Sequence, residues 1–163
     1  MSVEVQQRSA VRGLLVDESS TSVLLIHTHI PDSGKLIWLA PGGGREPGES
    51  ETDCLFRELQ EETGLVIRET KGPVWVRRKV FKLHHQTFDQ HETFYWVPTE
   101  KFAPNGASNP AIEERDIFRG FRWWTLDEMR DAHDEIFVPL TFADELDKLL
   151  TRGLPDAPID VGL

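Results

Sequence analysis

Three carboxylates in the middle of the chain have the spacing of a cation site. Glu58, Glu61 and Glu62 stand at i, i+3 and i+4, which on a helix puts all three on one face, a few ångströms apart. Like charges crowded this way repel, so the arrangement costs stability unless a cation sits among them. Hard divalent ions such as Mg²⁺ or Mn²⁺ take oxygen ligands and bind protein through a few carboxylates plus substrate phosphates. Arg57 immediately precedes the first glutamate, and Glu49 lies one turn ahead of the helix. An arginine fork there can hold a neighbouring carboxylate in a fixed orientation. Upstream, Gly42, Gly43 and Gly44 follow Pro41 and allow a tight backbone turn beside such a site. They do not form a Walker loop, because no Gly-Lys-Ser/Thr follows, nor a dinucleotide fingerprint opening a helix. Taken alone, E-x-x-E-E reads as a solvated acidic helix face, and a glycine run reads equally well as a plain turn.

The elements that must position these residues are legible in outline. Residues 50–63 predict a helix: Ser50 as N-cap, Asp53 as capping-box partner, acidic residues in the first turn, and Gly64 as the stop. Leu55 and Leu59 at i and i+4 give it an apolar stripe, with Cys54 beside it as a small core residue. Residues 9–16 and 22–29 read as strands around a turn at Asp17–Thr21. Leu36–Ala40 is a short apolar stretch leading to Pro41. Strands follow at 73–83 and 87–97, a loop at Pro104–Pro110, a strand around Phe121–Trp124, and helices near 126–132 and 141–151. The tail from about residue 153 reads as irregular. This order fits α/β or α+β, and residue pattern alone does not choose between them.

Composition bounds the function. With 163 residues, 39% hydrophobic and 28% charged, the expectation is one globular domain across residues 1–163. No apolar run approaches the ~20 residues a membrane helix needs. The N-terminus lacks the basic start and apolar stretch of a secretory signal, and the single Cys54 cannot form an internal disulfide. A cytoplasmic location is the expectation. The net charge of −10, from 18 basic and 28 acidic residues, argues against nonspecific nucleic-acid binding. It is compatible with a phosphate substrate only if divalent cations reverse the local sign.

The wider pattern around the glutamates is decisive. Gly43, five residues, Glu49, seven residues, then Arg57-Glu58-Leu59-Gln60-Glu61-Glu62-Thr63-Gly64-Leu65 resembles the Nudix box at every defined position. Such a match has a chance expectation on the order of 10⁻⁷ at ordinary residue usage. Resemblance to the Nudix hydrolases implies an α/β fold, an α/β/α sandwich with a mixed β-sheet. It implies a metal-dependent pyrophosphohydrolase that cleaves a nucleoside diphosphate linked to another group, using Mg²⁺ or Mn²⁺ and an attacking water. By that resemblance Glu58, Glu61 and Glu62 are metal ligands, with Glu61 also counted as catalytic. Arg57 orients a glutamate, Glu49 supports the loop or a second metal, and Gly42, Gly43 and Gly44 line the substrate site. The family often draws a further acid from a later loop, which makes Glu113 and Glu114 positional candidates, Glu114 first.

Outside the box the residues say less. Glu92 alternates with Phe94 and Trp96 and reads either as facing the same pocket or as a satisfied strand carboxylate. Arg77, Arg78 and Lys79 could meet phosphates, although outward strand charges are the commoner case. The pairs His27/His29 and His84/His85 lack a third soft ligand at helpful spacing for zinc. Trp38, Trp96, Trp123 and Trp124 read mainly as core, with base stacking the alternative. The expected partner is a small-molecule nucleotide, foremost a nucleoside triphosphate, with no stable nucleic-acid binding, no membrane, and room for a homodimer. An ADP-ribose or nucleotide-sugar substrate is the enzymatic alternative, weakened by the absence of a proline about fifteen residues after the box. The lone Tyr95 likewise weakens a dinucleoside-polyphosphate assignment. A catalytically silent nucleotide-binding module is the rival from another class.

Overall fold

The computed structural model describes residues 4–31, 33–83, 85–106 and 117–163. Along them the chain forms β1 (Val5–Asp17), β2 (Ser22–His29), β3 (Leu36–Leu39), β4 (Gly42–Gly44), α1 (Glu51–Thr63), β5 (Lys71–Leu83), β6 (Gln86–Pro98), β7 (Phe118–Thr125), α2 (Leu126–Asp131), β8 (Phe137–Val138), α3 (Phe142–Arg152) and β9 (Ile159–Asp160). The sheet runs β8-β3-β2-β1-β6-β5-β9, with β4 added on β1 and β7 on β2. Both parallel and antiparallel ladders occur: β1 lies parallel to β6, while β5–β6 and β2–β7 are antiparallel.

Alternation along β1 divides the core into two layers. Val11 and Leu15 join Leu24 and Val97 under Cys54, Leu55 and Leu59 of α1. Leu14 and Val16 point the other way, into a larger cluster with Trp75, Phe94, Trp96, Trp124 and the α3 residues Phe142, Leu146 and Leu149. Side chains one residue apart on a strand face opposite sides, so one strand is sealed by α1 on one face and by α2 and α3 on the other. This is the α/β/α sandwich that the residue order left undecided.

The feature that positions the site is a parting of two strands. β1 and β2 pair only next to their turn, at Val16↔Val23 and Asp17↔Ser22. Asp17 stabilises that turn by accepting hydrogen bonds from Ser19. Farther from the turn, β4 takes β2's place against β1, with Ala10↔Gly44, Val11↔Gly43 and Arg12↔Gly42. The glycine segment is therefore a three-residue strand rather than a free turn. Position 42 requires glycine, because its φ is +153 and a Cβ there would collide with the Val11 carbonyl.

α1 begins where Ser50 Oγ accepts from the Asp53 amide (3.1 Å) and ends at Gly64, whose φ of +80 lets its N–H reach Gln60 O. Two short strands, β8 and β9, escape sequence reading because they owe their existence to neighbours. The C-terminal tail, expected to be irregular from about 153, contributes β9 parallel to β5 at Trp75↔Ile159. Val161 anchors it, buried in the larger cluster and donating its N–H to Val76 O. Among the described residues no helix is long and apolar enough to cross a membrane.

Candidate active site

Where β1 and β2 separate, a cavity of about 340 Å³ opens, floored by β4 and walled by α1. Gly42, Gly43, Gly44, Glu58 and Glu62 line it together, and so do Arg8 and Arg12 of β1. Five of the residues singled out from sequence thus converge. The helical spacing of Glu58 and Glu62 aims both carboxylates at the glycine strand. Glu62 Oε2 accepts the Gly42 N–H at 2.8 Å. A Cβ at Gly43 would stand 2.6 Å from the Glu58 carboxylate oxygens, so the missing side chain is what makes room for that carboxylate.

Arg57 organises the other side of α1. Its Nε and Nη2 donate to the two oxygens of Glu49, both at 2.8 Å. Its Nη1 donates to Glu58 Oε1 at 2.9 Å, and Nη2 also reaches the Gly44 carbonyl at 3.2 Å. Glu49 further accepts the Glu46 amide. The Arg57 guanidinium and that amide hold the Glu49 carboxyl down at about 2. Glu61, at 3.4 Å from Arg57 Nη1, stands at the edge of this network. It is not among the residues that line the cavity.

Burial sets the electrostatics. Glu62 is pushed up to about 8 because desolvation outweighs the Gly42 hydrogen bond and the nearby Arg12. Glu58 is raised too, again by burial first, against the pull of Arg57. Burial likewise pushes the Cys54 thiol up to about 12, the behaviour of an inert core cysteine. Among the described residues no group of three His, Cys, Asp or Glu side chains is placed to hold a metal ion. A hard divalent cation does not require one, since Mg²⁺ is commonly held by one or two carboxylates plus substrate phosphates. Two carboxylates destabilised by burial, bordering one cavity beside a glycine that leaves space, fit that chemistry.

The remaining candidates sort as follows. Glu113 and Glu114 lie outside the described residues, as does His84. Glu92 is buried on β6, where it accepts from Arg12, Arg77 and Gln90. It is a satisfied strand carboxylate, and it touches the cavity through Arg12. Arg77 is committed to Glu92, and Arg78 grips Asp89 with Nε and Nη2; Lys79 is exposed and has no ion pair among the described residues. Trp38, Trp96 and Trp124 are core residues. Trp38 stacks on His27 at 4.1 Å, and Trp123 packs on the α1 side while donating to Phe102 O. The residues that sequence reasoning overlooked are Arg8 and Arg12. For Arg12 there was a signal: a lone charge inside the apolar run Ala10–Val16.

A family model described as NUDIX domain matches residues 6–143. Over 69 residues the chain is 41% identical to an RNA pyrophosphohydrolase of Ruthia magnifica subsp. Calyptogena magnifica, covering 40% of this chain and 36% of that protein. The chain therefore spans little more than a third of the length of that curated relative. Among solved structures, a MutT NUDIX hydrolase from Burkholderia pseudomallei superposes with a TM-score of 0.58 at 21% identity, over 76% of this chain and 86% of that one. The E. coli ORF135 protein gives 0.59 at 18%, over 91% and 94%. A C. elegans Ap4A hydrolase gives 0.59 at 12%, over 90% and 98%. At these identities the structural likenesses speak to the fold.

Proposed function

This chain belongs to the NUDIX domain family, and from that premise we propose that it is a pyrophosphohydrolase that cleaves a nucleoside diphosphate linked to another group. The observation that carries the reading is the meeting of Glu58 and Glu62 with Gly42–Gly44 in one cavity. The family generally uses divalent metal ions, and Mg²⁺ or Mn²⁺ is the proposed cofactor, with Glu58, Glu61 and Glu62 as its ligands. Bound there, such an ion neutralises charge developing on phosphate oxygens and acidifies a water.

The chain's own residues then have separable tasks. Arg57, fixed on Glu49, keeps Glu58 turned toward the cavity. The Gly42 amide holds Glu62, whose carboxylate would be a ligand to such an ion. Glu61 is assigned to complete the ligand set and to take the proton of the attacking water. Glu114 is kept as a further acid. Gly42–Gly44 present backbone to the phosphate chain at close approach.

A nucleoside triphosphate or related nucleotide is the proposed substrate. The RNA pyrophosphohydrolase relative favours a second reading, a 5′-polyphosphate end on RNA. The test is a turnover panel of nucleoside triphosphates, oxidised nucleotides, ADP-ribose, nucleotide sugars, dinucleoside polyphosphates and 5′-triphosphate RNA, each with Mg²⁺, Mn²⁺ or EDTA. Turnover of at least one, abolished by EDTA, is the expected result. Metal-independent nucleotide binding with no turnover would point to a binding module instead.

A further inference from the structure

Arg12 is the one charged side chain in the apolar run Ala10–Val16 of β1, and its position is over-determined. Its Nε donates to Glu92 Oε2 at 2.8 Å and its Nη1 to the Ala40 carbonyl at 2.9 Å. Those bonds engage two of a guanidinium's five N–H donors. No other hydrogen-bond partner for Arg12 stands among the described residues, although Glu62 and Glu58 lie near enough to favour its charge, and the side chain is only 14% exposed. Glu92, at 4% exposure, is shared with Arg77, whose Nη1 donates to Glu92 Oε1 at 2.8 Å. Gln90 donates to the same oxygen.

The geometry has two consequences. First, Glu92 and the Ala40 carbonyl fix two of the fork's N–H groups, and the Arg12 side chain borders the cavity that Glu58 and Glu62 also line. Second, Glu92 shares its one charge between two guanidiniums, and Glu62 and Glu58 are the further carboxylates whose field favours the Arg12 charge. A guanidinium whose orientation is set in advance, with unspent donors and little water, is suited to non-bridging phosphate oxygens. Arg12 acts on Glu58 and Glu62 only through space, while its hydrogen bonds go to Glu92 and the Ala40 carbonyl.

Resting on the hydrolase reading above, we infer that Arg12 is a substrate-anchoring residue whose free N–H groups hold the diphosphate segment of the substrate. Arg12 and Arg77 carry the same charge on the same carboxylate, but Arg12 alone of the two lines the cavity. That difference separates direct contact from a general field effect.

The experiment is calorimetric titration of the folded chain with methylenediphosphonate, an uncleavable diphosphate mimic, in Mg²⁺. Arg12→Ala is expected to weaken binding about ten- to a hundredfold, the range for losing charge-assisted hydrogen bonds. Arg12→Lys keeps the charge but loses the fork and should remain about tenfold weaker than wild type. Arg77→Met should bind within about threefold of wild type. Thermal melts establish that each variant is folded at the titration temperature, and if Arg12→Ala is not, Arg12→Lys carries the decision. The assignment is overturned by a wild-type chain that does not bind the diphosphonate, by equal losses in Arg12→Ala and Arg77→Met, or by Arg12→Lys binding like wild type. Failure of the hydrolase reading looks different: the diphosphonate binds through Arg12, and nothing on the turnover panel is cleaved.

Discussion

At the scale of single residues, the buried carboxyl of Glu62 yields a stability prediction with a definite sign. Its ordinary value of 4.5 is raised to about 8 in the folded chain. Below pH 4.5 the carboxyl is protonated in both folded and unfolded chains and contributes its full share of stability. Between pH 4.5 and 8 the unfolded chain releases a proton that the folded chain retains, so stability falls as pH rises, and the loss levels off above 8. The stability of the wild type in EDTA should therefore fall between pH 5 and 8 more than that of Glu62→Gln, by an amount on the order of a few kcal/mol, and its melting temperature should fall with it. Parallel melts of the two proteins across that window check it; equal slopes would refute it. In the presence of Mg²⁺ the same substitution should cut kcat steeply, since charge stabilisation acts mainly in the transition state. Arg57 gives a second residue-level prediction. Its two 2.8 Å bonds to Glu49 demand a planar fork, which lysine lacks. Arg57→Lys should lose about 10- to 100-fold in metal affinity or activity, with a small change in melting temperature. Initial rates against Mg²⁺ concentration provide the reading.

At the scale of elements, β4 joins α1 to β1, and its glycines have unequal reasons to be glycine. Gly42 combines φ +153 with a Cβ position blocked by the Val11 carbonyl. Gly48 has φ +78 but open space around it. Gly42→Ala should thus destabilise by more than about 2 kcal/mol, and Gly48→Ala by about 1 kcal/mol. Urea midpoints of the two variants decide the order. Gly43→Ala should act on chemistry first: its methyl meets the Glu58 carboxylate, a side chain that can swing away. The expected outcome is near-native stability with a large loss of kcat.

At the scale of the whole molecule, the candidate cavity is a by-product of how the sheet divides. β1 cannot pair with β2 beyond Val16↔Val23 because β4 occupies its edge at Ala10–Arg12. The helix carrying the glutamates is seated against the sheet by Cys54, Leu55 and Leu59. A cation taken up by folded but not unfolded chain should stabilise the entire structure by linkage, about 2.7 kcal/mol at a hundred times its dissociation constant. Mg²⁺ should accordingly raise the wild-type melting temperature, and EDTA should reverse it. An unchanged melt over millimolar Mg²⁺ would count against the carboxylate site.

How much of this was open to sequence reading follows from the range of the interactions. The box was legible because its parts are local: Glu58 and Glu62 share a face through helical periodicity, and Arg57 meets Glu49 eight residues away. α1, its Ser50 cap and its Gly64 stop are local for the same reason. The sandwich was legible only through resemblance, since strand order is not encoded in any single segment. Arg12 and Glu92 could not be joined from sequence, because their bond spans 80 residues and exists only once β1 lies parallel to β6. β4 and β9 depend in the same way on an edge offered by a distant strand. Sequence by itself thus determined which groups could bind a cation and on which helix they ride. The tertiary structure decided which of them share a cavity and which arginines line it, because burial and strand register are properties of the assembled sheet.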